Sequence, residues 1–493
     1  MSKTTKKKQK SIEELLEEAL VLKKEQLYEV PKNWVWTKAG YIAEIIGGGT
    51  PKTSENEYYD DGDIPWLTPA DLSNYDDMYI SQGRRNITDL GLAKSSARML
   101  PENTVLFSSR APIGYVAIAA NPVSTNQGFK SFVPTKAIYS QYLYWYLKNA
   151  GKRIEELASG TTFKELSGAK CKEIVIPLPP LDEQKRIAEK VEHLFGKIDE
   201  AKQLIDDAKE TFELRRAAIL DKAYRGELTS KWRKDHPSVE TAYSFLKKLI
   251  NQTGEYNNKF DSLGPPFELP KGWLWIKLSD IADFKNGYAF KSKNFVKKGM
   301  QLIRMGNLYK NELNLEKNPV FLPEDTDSKL LEKYSLREND ILLTLTGTKY
   351  KRDYGYAVRI PSLKEKLLLN QRILSVTPRA LNNYVYFYLQ TEIFRDKFFS
   401  FETGGVNQGN VGSRAVEGIY FPLPPYEEGR EIEKKLSELL DYERDLVNLV
   451  DIEQNIESIK QSILNKAFRG KLGTNDPTEE SSIELLKEVL KSK

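Results

Sequence analysis

Apolar residues recur in steps of four and three along one long stretch of the chain. They run from Ile187 through Val191, Leu194, Ile198, Ala201, Ile205, Ala208 and Phe212, and Ile219 follows one heptad later. Alternating steps of this size place the side chains on one stripe of an α-helix that packs against another helix. No proline falls between Leu181 and Ala223, and the one glycine there is Gly196. Pro177, Pro179 and Pro180 mark the start, because proline fits just before a first turn and cannot continue one. Gly226 supplies the stop. Some 43 residues at about 1.5 Å each predict a rod of roughly 64 Å.

The pattern returns later in the chain. A second stripe reads Ile432, Leu436, Leu439, Leu446, Leu449, Ile456, Ile459 and Ile463, with Tyr442 and Ile452 near its gaps. The flanking residues repeat as well. Ile174-Val175-Ile176-Pro177-Leu178-Pro179-Pro180 matches Ile419-Tyr420-Phe421-Pro422-Leu423-Pro424-Pro425, an offset of 245. Ala223-Tyr224-Arg225-Gly226-Glu227-Leu228 matches Ala467-Phe468-Arg469-Gly470-Lys471-Leu472, an offset of 244. One residue has been lost between these marks, and the irregular stretch from Tyr442 to Ile452 is where a local change of phase is expected. So long a repeat, with matching punctuation at both ends, is an internal duplication. The simplest partner for each striped helix is the other, packed antiparallel about a pseudo-twofold axis. The expected packing residues are Ile187, Val191, Leu194, Ile198 and Ile205 on the first helix, with Leu436, Leu439, Leu446, Ile456, Ile459 and Ile463 on the second.

Short alternating segments broken by Gly, Asn, Asp and Pro fill the rest. Pro31-Lys32-Asn33-Trp34-Val35-Trp36 recurs as Pro270-Lys271-Gly272-Trp273-Leu274-Trp275, so the duplication covers nearly the whole chain. Trp34 and Trp36 share one face of an extended strand, as do Trp273 and Trp275, and core packing is their simplest role. Segments such as Thr104–Ser108 and Asp340–Thr344 read as strands. An aromatic helix follows in each half, at Tyr142–Leu147 and Tyr384–Leu389. The expected fold is α+β, with two globular domains joined by two long antiparallel coiled-coil helices. Its parts are a tail and short helix at 1–30, a module at 31–176, a long helix at 177–230, and a short helix and linker at 231–268. A second module at 269–421, a second long helix at 422–473 and a terminal helix at 474–493 complete it. The terminal helices at Ser11–Leu20 and Ser482–Leu490, and a looser copy from Ser238 to Leu249, have apolar faces that need covering by the body or by a partner. Ser11 with Glu14 is a capping-box pattern.

Composition narrows the chemistry. A single cysteine, Cys171, excludes a disulfide framework or thiolate cluster, and two histidines, His193 and His236, are too few for a histidine-built metal site. No apolar run is long enough for a membrane span, and the lysine-rich start leads into an acidic helix rather than a secretory signal. A cytoplasmic protein is expected. Phosphate-cradling loops, nucleophile elbows and zinc spacings are missing. The formal net charge of +4 permits nucleic-acid binding only through local basic patches. Lysines suit phosphates, while Arg, Asn and Gln match base edges with paired hydrogen bonds. The candidates near strand ends are Arg110, Asn126 and Gln127 in the first module, and Asn370, Gln371 and Arg372 in the second; Arg84, Arg85, Arg304, Lys349 and Arg352 are further candidates in the basic stretches of the two modules. Ordinary surface or turn chemistry accounts for any one of them singly. A coiled-coil scaffolding protein with two protein-binding modules and no role in DNA binding is the alternative reading.

Pro177-Leu178-Pro179-Pro180-Leu181-Asp182-Glu183-Gln184-Lys185-Arg186-Ile187, the long helix and the Ala223–Leu228 exit together resemble the specificity subunit of type I restriction-modification systems. The second copy departs from the pattern at Tyr426-Glu427-Glu428-Gly429-Arg430-Glu431. The resemblance implies a non-catalytic subunit whose two target-recognition domains read the halves of a split, asymmetric target in double-stranded DNA. It implies that the helices act as spacers and dock two modification subunits, which use S-adenosylmethionine. Two restriction subunits, the ATP- and Mg2+-dependent motors, would join them. No cofactor would be bound by this chain itself.

Overall fold

The computed structural model describes residues 10–110, 112–159, 164–250, 265–363, 365–450 and 453–491, without side-chain surroundings at 441–454. The chain divides into two compact units. Unit 1 comprises Met1–Leu204 with Ile452–Lys493, and unit 2 comprises Ile205–Asp451. Each unit thus contains one α+β module and part of each long helical region.

The first long helix spans Leu181–Tyr224, 44 residues. The second region forms helices Tyr426–Val450 and Glu453–Ala467. Both exits turn on a glycine. Gly226 has φ +70° and Gly470 has φ +66°, the left-handed region that side chains disfavour. Glu227 N–H donates to Lys222 O at 2.8 Å, and Lys471 N–H to Lys466 O at 2.8 Å, closing the last turns alike. Space is the second reason for glycine. A Cβ on Gly226 would stand 2.5 Å from Pro270, and one on Gly470 would collide with Pro31.

In unit 1 the two helices run antiparallel. Glu183 and Arg186, at the start of one, contact Thr474 beyond the end of the other, while Asp199 pairs with Lys460 at 2.6 Å. Ile187 and Val191 share a core with Leu464, Ala467 and Phe468. In unit 2, Leu220, Ala223 and Tyr224 share one with Ile432, Leu436 and Leu440. The seam differs from the heptad expectation at two positions. Leu439 is 40% exposed and Ile459 is 42% exposed, whereas Leu440 and Leu464 are buried. Near its start the second helix buries Ile432, Leu436 and Leu440, a pure four-residue step. It does so because this start packs on the aromatic helix of the module as well as on the other long helix, Glu433 accepting from Asn383 N–H at 2.7 Å and Tyr384 N–H at 3.1 Å. Tyr224 lies 4.6 Å from Tyr384 and Phe468 lies 5.5 Å from Tyr142, ring centre to ring centre. Leu194, Ile198, Ile205, Ile456 and Ile463 are half-buried. The surroundings of Tyr442, Leu446 and Leu449, and Ile452 itself, lie outside what is described, as does the expected change of phase.

Each module has the same plan. In unit 1 a five-stranded sheet runs Ala43–Gly47, Lys130–Pro134, Val105–Phe107, Val116–Ala119, Tyr79–Ile80. In unit 2 a four-stranded antiparallel sheet runs Ala282–Asn286, Ile373–Pro378, Ile341–Thr344, Ala357–Arg359. A smaller sheet in each contains one parallel pair, Ile64–Leu67 with Ser124–Thr125 and Met300–Ile303 with Leu367–Leu369. The tryptophans are core. Trp34 and Trp273 donate to Glu183 and Glu428, and Trp36 and Trp275 to the carbonyls of Tyr28 and Phe267. The short helices are covered by the chain itself: Leu486, Val489 and Leu490 lie in the unit 1 core, Ala242, Phe245 and Leu246 in that of unit 2. Ser11 forms its capping box with Glu14. No helix among the described residues is long and apolar enough to cross a membrane.

Candidate nucleic-acid interface

Two parallel strands that end side by side deliver their following loops to one place. In unit 2 the register Ile303↔Leu369 brings Arg304, after one strand, beside Asn370 and Gln371, after the other. They line a cleft of about 430 Å³ with Met305, Gly306, Asn307, Lys317, Asn318 and Arg372. Four residues expected from sequence to contact DNA, Arg304, Asn370, Gln371 and Arg372, therefore converge. Lys317 and Asn318 were not among the candidates. Gln371 N–H donates to Tyr288 O at 2.9 Å, and Leu345 N–H donates to Arg372 O at 2.9 Å, so the turn is held from both sides. Asn370 O packs against Gly287, where a Cβ would collide with it.

Unit 1 repeats this frame. The register Leu67↔Thr125 brings Thr68 beside Asn126 and Gln127. Ser109 N–H donates to Gly128 O at 2.7 Å, the counterpart of the Leu345 bond to Arg372. Asn126 O packs against Gly48 as Asn370 O does against Gly287. The loop after the first strand is capped the same way. Thr68 N–H donates to Asp71 Oδ2 at 2.7 Å, and Arg304 N–H to Asn307 Oδ1 at 2.9 Å. By these registers Thr68 occupies the position of Arg304, and Gly128 that of Arg372.

The next connection along the chain shows why one cap is an acid and the other an amide. Asp71 Oδ1 accepts from Arg84 N–H at 3.0 Å, whereas Asn307 Nδ2 donates to Asn314 O and Lys317 O, both at 2.9 Å. Each cap pins a loop that carries a cation. The Arg84 side chain is 78% exposed, with Nε 3.9 Å from Asp71. Arg85 is exposed at the start of its strand, opposite Trp66.

Other candidates are already engaged. Arg110 pairs with Glu165 at 3.1 Å, and Lys130 approaches the same carboxylate at 3.6 Å. Partial burial pushes that carboxyl up, but the two cations outweigh it and hold Glu165 below its ordinary value. Asn126 Oδ1 accepts from Gly128 N–H at 2.9 Å within its own turn, and Gln127 accepts from the Thr50 hydroxyl. Lys349 donates to Gly404 O at 3.2 Å, and Arg352 pairs with Asp396 at 2.8 Å. Arg352 and Lys349 stand on other loops of unit 2 and are not among the residues that line the cleft. Arg304 and Arg372 contrast with Arg110 and Arg352, for neither forms an ion pair among the described residues. No group of three or more His, Cys, Asp or Glu side chains there is placed to hold a metal ion.

Residues 31–210 and 270–458 match the family model for the type I restriction modification DNA specificity domain. The chain is 30% identical over 410 residues to the type I restriction enzyme MjaIX specificity subunit of Methanocaldococcus jannaschii, covering 82% of this chain and 86% of that one. It is 24% identical over 467 residues to the EcoKI specificity subunit of Escherichia coli strain K12, covering 90% of each. Its fold is similar to a chain solved in a study of complex assembly and conformational transition of the type I R-M system, with TM-score 0.60, 18% identity and coverage of 90% of this chain and 100% of that one. The HsdS subunit of Thermoanaerobacter tengcongensis gives TM-score 0.50 at 18% identity, covering 91% of this chain and 100% of that one.

Proposed function

As the chain belongs to the type I restriction-modification DNA specificity family, we propose that it reads a split, asymmetric DNA target, each unit contributing the Asn-Gln turn that reads one half. The repeated turn carries this reading. Both units build an Asn-Gln turn at the end of a parallel strand pair, and different side chains surround it. A shared frame with different polar contents is what two readers of two different half-sites require.

In this reading the chain performs no catalysis and binds no cofactor. It positions two modification subunits, which use S-adenosylmethionine to methylate DNA, and two restriction subunits, which need ATP and Mg2+. The long helices between residues 177–230 and 422–473 set the gap between half-sites and dock these partners, and the complex works in the cytoplasm. Selection of bound duplexes from a randomised library tests the reading, with the protein in complex with its modification subunits at about 0.15 M salt, where binding is not merely electrostatic. Two short blocks separated by an unread gap of constant length are expected. Recovery of no preferred sequence from a well-formed complex would overturn it.

A further inference from the structure

We propose that the cleft of unit 2 reads guanine, through Arg304 and Arg372. The inference rests on the DNA-reading function above and goes one step further, to a base. A guanidinium is a flat fork of donors that matches guanine O6 and N7 in the major groove, where each base pair shows its own donor and acceptor pattern. Arg304 and Arg372, both exposed, line one cleft together with Asn370 and Gln371. Arg110 and Arg352, by contrast, are held by carboxylates.

The backbone at Arg372 gives a second, independent reason. Its φ is +70°, where glycine is the unstrained choice. The matching residue of unit 1, Gly128, does not share that φ; it is glycine for lack of space, since a Cβ there would stand 2.8 Å from Pro69. Nothing in a left-handed φ asks for arginine, and strain retained at such a place points to the side chain having a use. At Arg304 the same comparison applies, since Thr68 serves the identical capped loop in unit 1. Unit 1 thus lacks both forks at these two positions. A guanine read in this manner belongs to the half-site of unit 2.

R304T and R372G install the residues that unit 1 already uses, so both are compatible with the frame. R304K and R372K keep the charge and lose the fork. Each variant, in complex with the modification subunits, is taken through duplex selection beside the unaltered protein. The expected result is a guanine position in one block that loses roughly tenfold or more of its preference in both the small and the lysine variants, while the other block is unchanged. Uniform weakening on all sequences, with a shallower salt dependence and an unaltered block, would assign the two arginines to phosphates and overturn the proposal. Two selected blocks without guanine in the unaltered protein would also overturn it and leave the DNA-reading function intact. No selected sequence from the unaltered protein would overturn both.

Discussion

Glu183 in unit 1 and Glu428 in unit 2 occupy the same place and are neutralised differently. Each is a buried carboxylate in the first turn of a long helix. Each accepts from the first tryptophan of its module, Trp34 at 2.7 Å and Trp273 at 2.9 Å. Each accepts from a threonine beyond the end of a long helix, Thr474 at 3.5 Å and Thr229 at 2.6 Å. Glu428 also holds Arg233 at 2.7 Å, a charge partner. Glu183 has Asn475 at 2.9 Å instead, and its neighbouring Arg186 is committed to Glu479 at 2.7 Å. Burial accordingly pushes the Glu183 carboxyl up, against its hydrogen bonds from Asn475 and Trp34. One architectural clasp, joining helix start, module and helix exit, is thus an ion pair in one unit and a set of neutral donors in the other. The sequence around the clasp was free to change so long as every buried oxygen kept a donor.

Variants that remove parts of these matched frames should separate the two units. Deleting Ser482–Leu490 strips Leu486, Val489 and Leu490 from the unit 1 core and should cost roughly 5 kcal/mol or more there. Calorimetry of the deletion protein should show an early transition for unit 1. A melting profile like that of the intact chain would mean the helix is not part of the body. E428Q leaves Arg233 without its counter-charge and should cost about 3 kcal/mol, read from the unit 2 transition. G226A forces a side chain into the left-handed region and toward Pro270, and about 1–3 kcal/mol should be lost. A denaturant midpoint equal to that of the parent would refute that cost.

E183Q should cost least, about 1 kcal/mol, and it carries a pH signature. A carboxyl whose pKa is raised in the folded state binds more protons folded than unfolded. Its contribution to stability therefore grows as pH falls through the raised value toward the ordinary value near 4.5, and declines as pH rises through that window. The difference in stability between parent and E183Q should change with this sign over that window. A difference independent of pH would show that Glu183 does not titrate there.

Much of this was legible in the chain. The stripe from Ile187 to Ile219 and its punctuation predicted the 44-residue helix, since helical periodicity survives wherever one face is buried. Leu439 misled because a heptad assumes a helix partner alone, whereas that end also packs on a module. The parallel strand pairs were not legible. Ser124–Thr125 has two residues, both buried, too short to show alternation and too polar to suggest a strand. Asn126-Gln127 and Asn370-Gln371-Arg372 stood out as polar donors near expected strand ends. That Gly128 matches Arg372 was not legible, because the two share nothing except position. The carboxylate clasp was also missed, although the signal was there. Across Leu181–Arg186 and Tyr426–Glu431, Glu183 and Glu428 are the one identical pair.

The central claim is that the two matched Asn-Gln turns each read one half of a split target. Gln127 and Gln371, both exposed in their turns, test it most directly. Duplex selection with Q127A and with Q371A, each in complex with the modification subunits, should relax one block apiece, a different block for each substitution, with the gap between blocks unchanged. Selection of the parental sequence, unaltered in both blocks by both proteins, would contradict the claim.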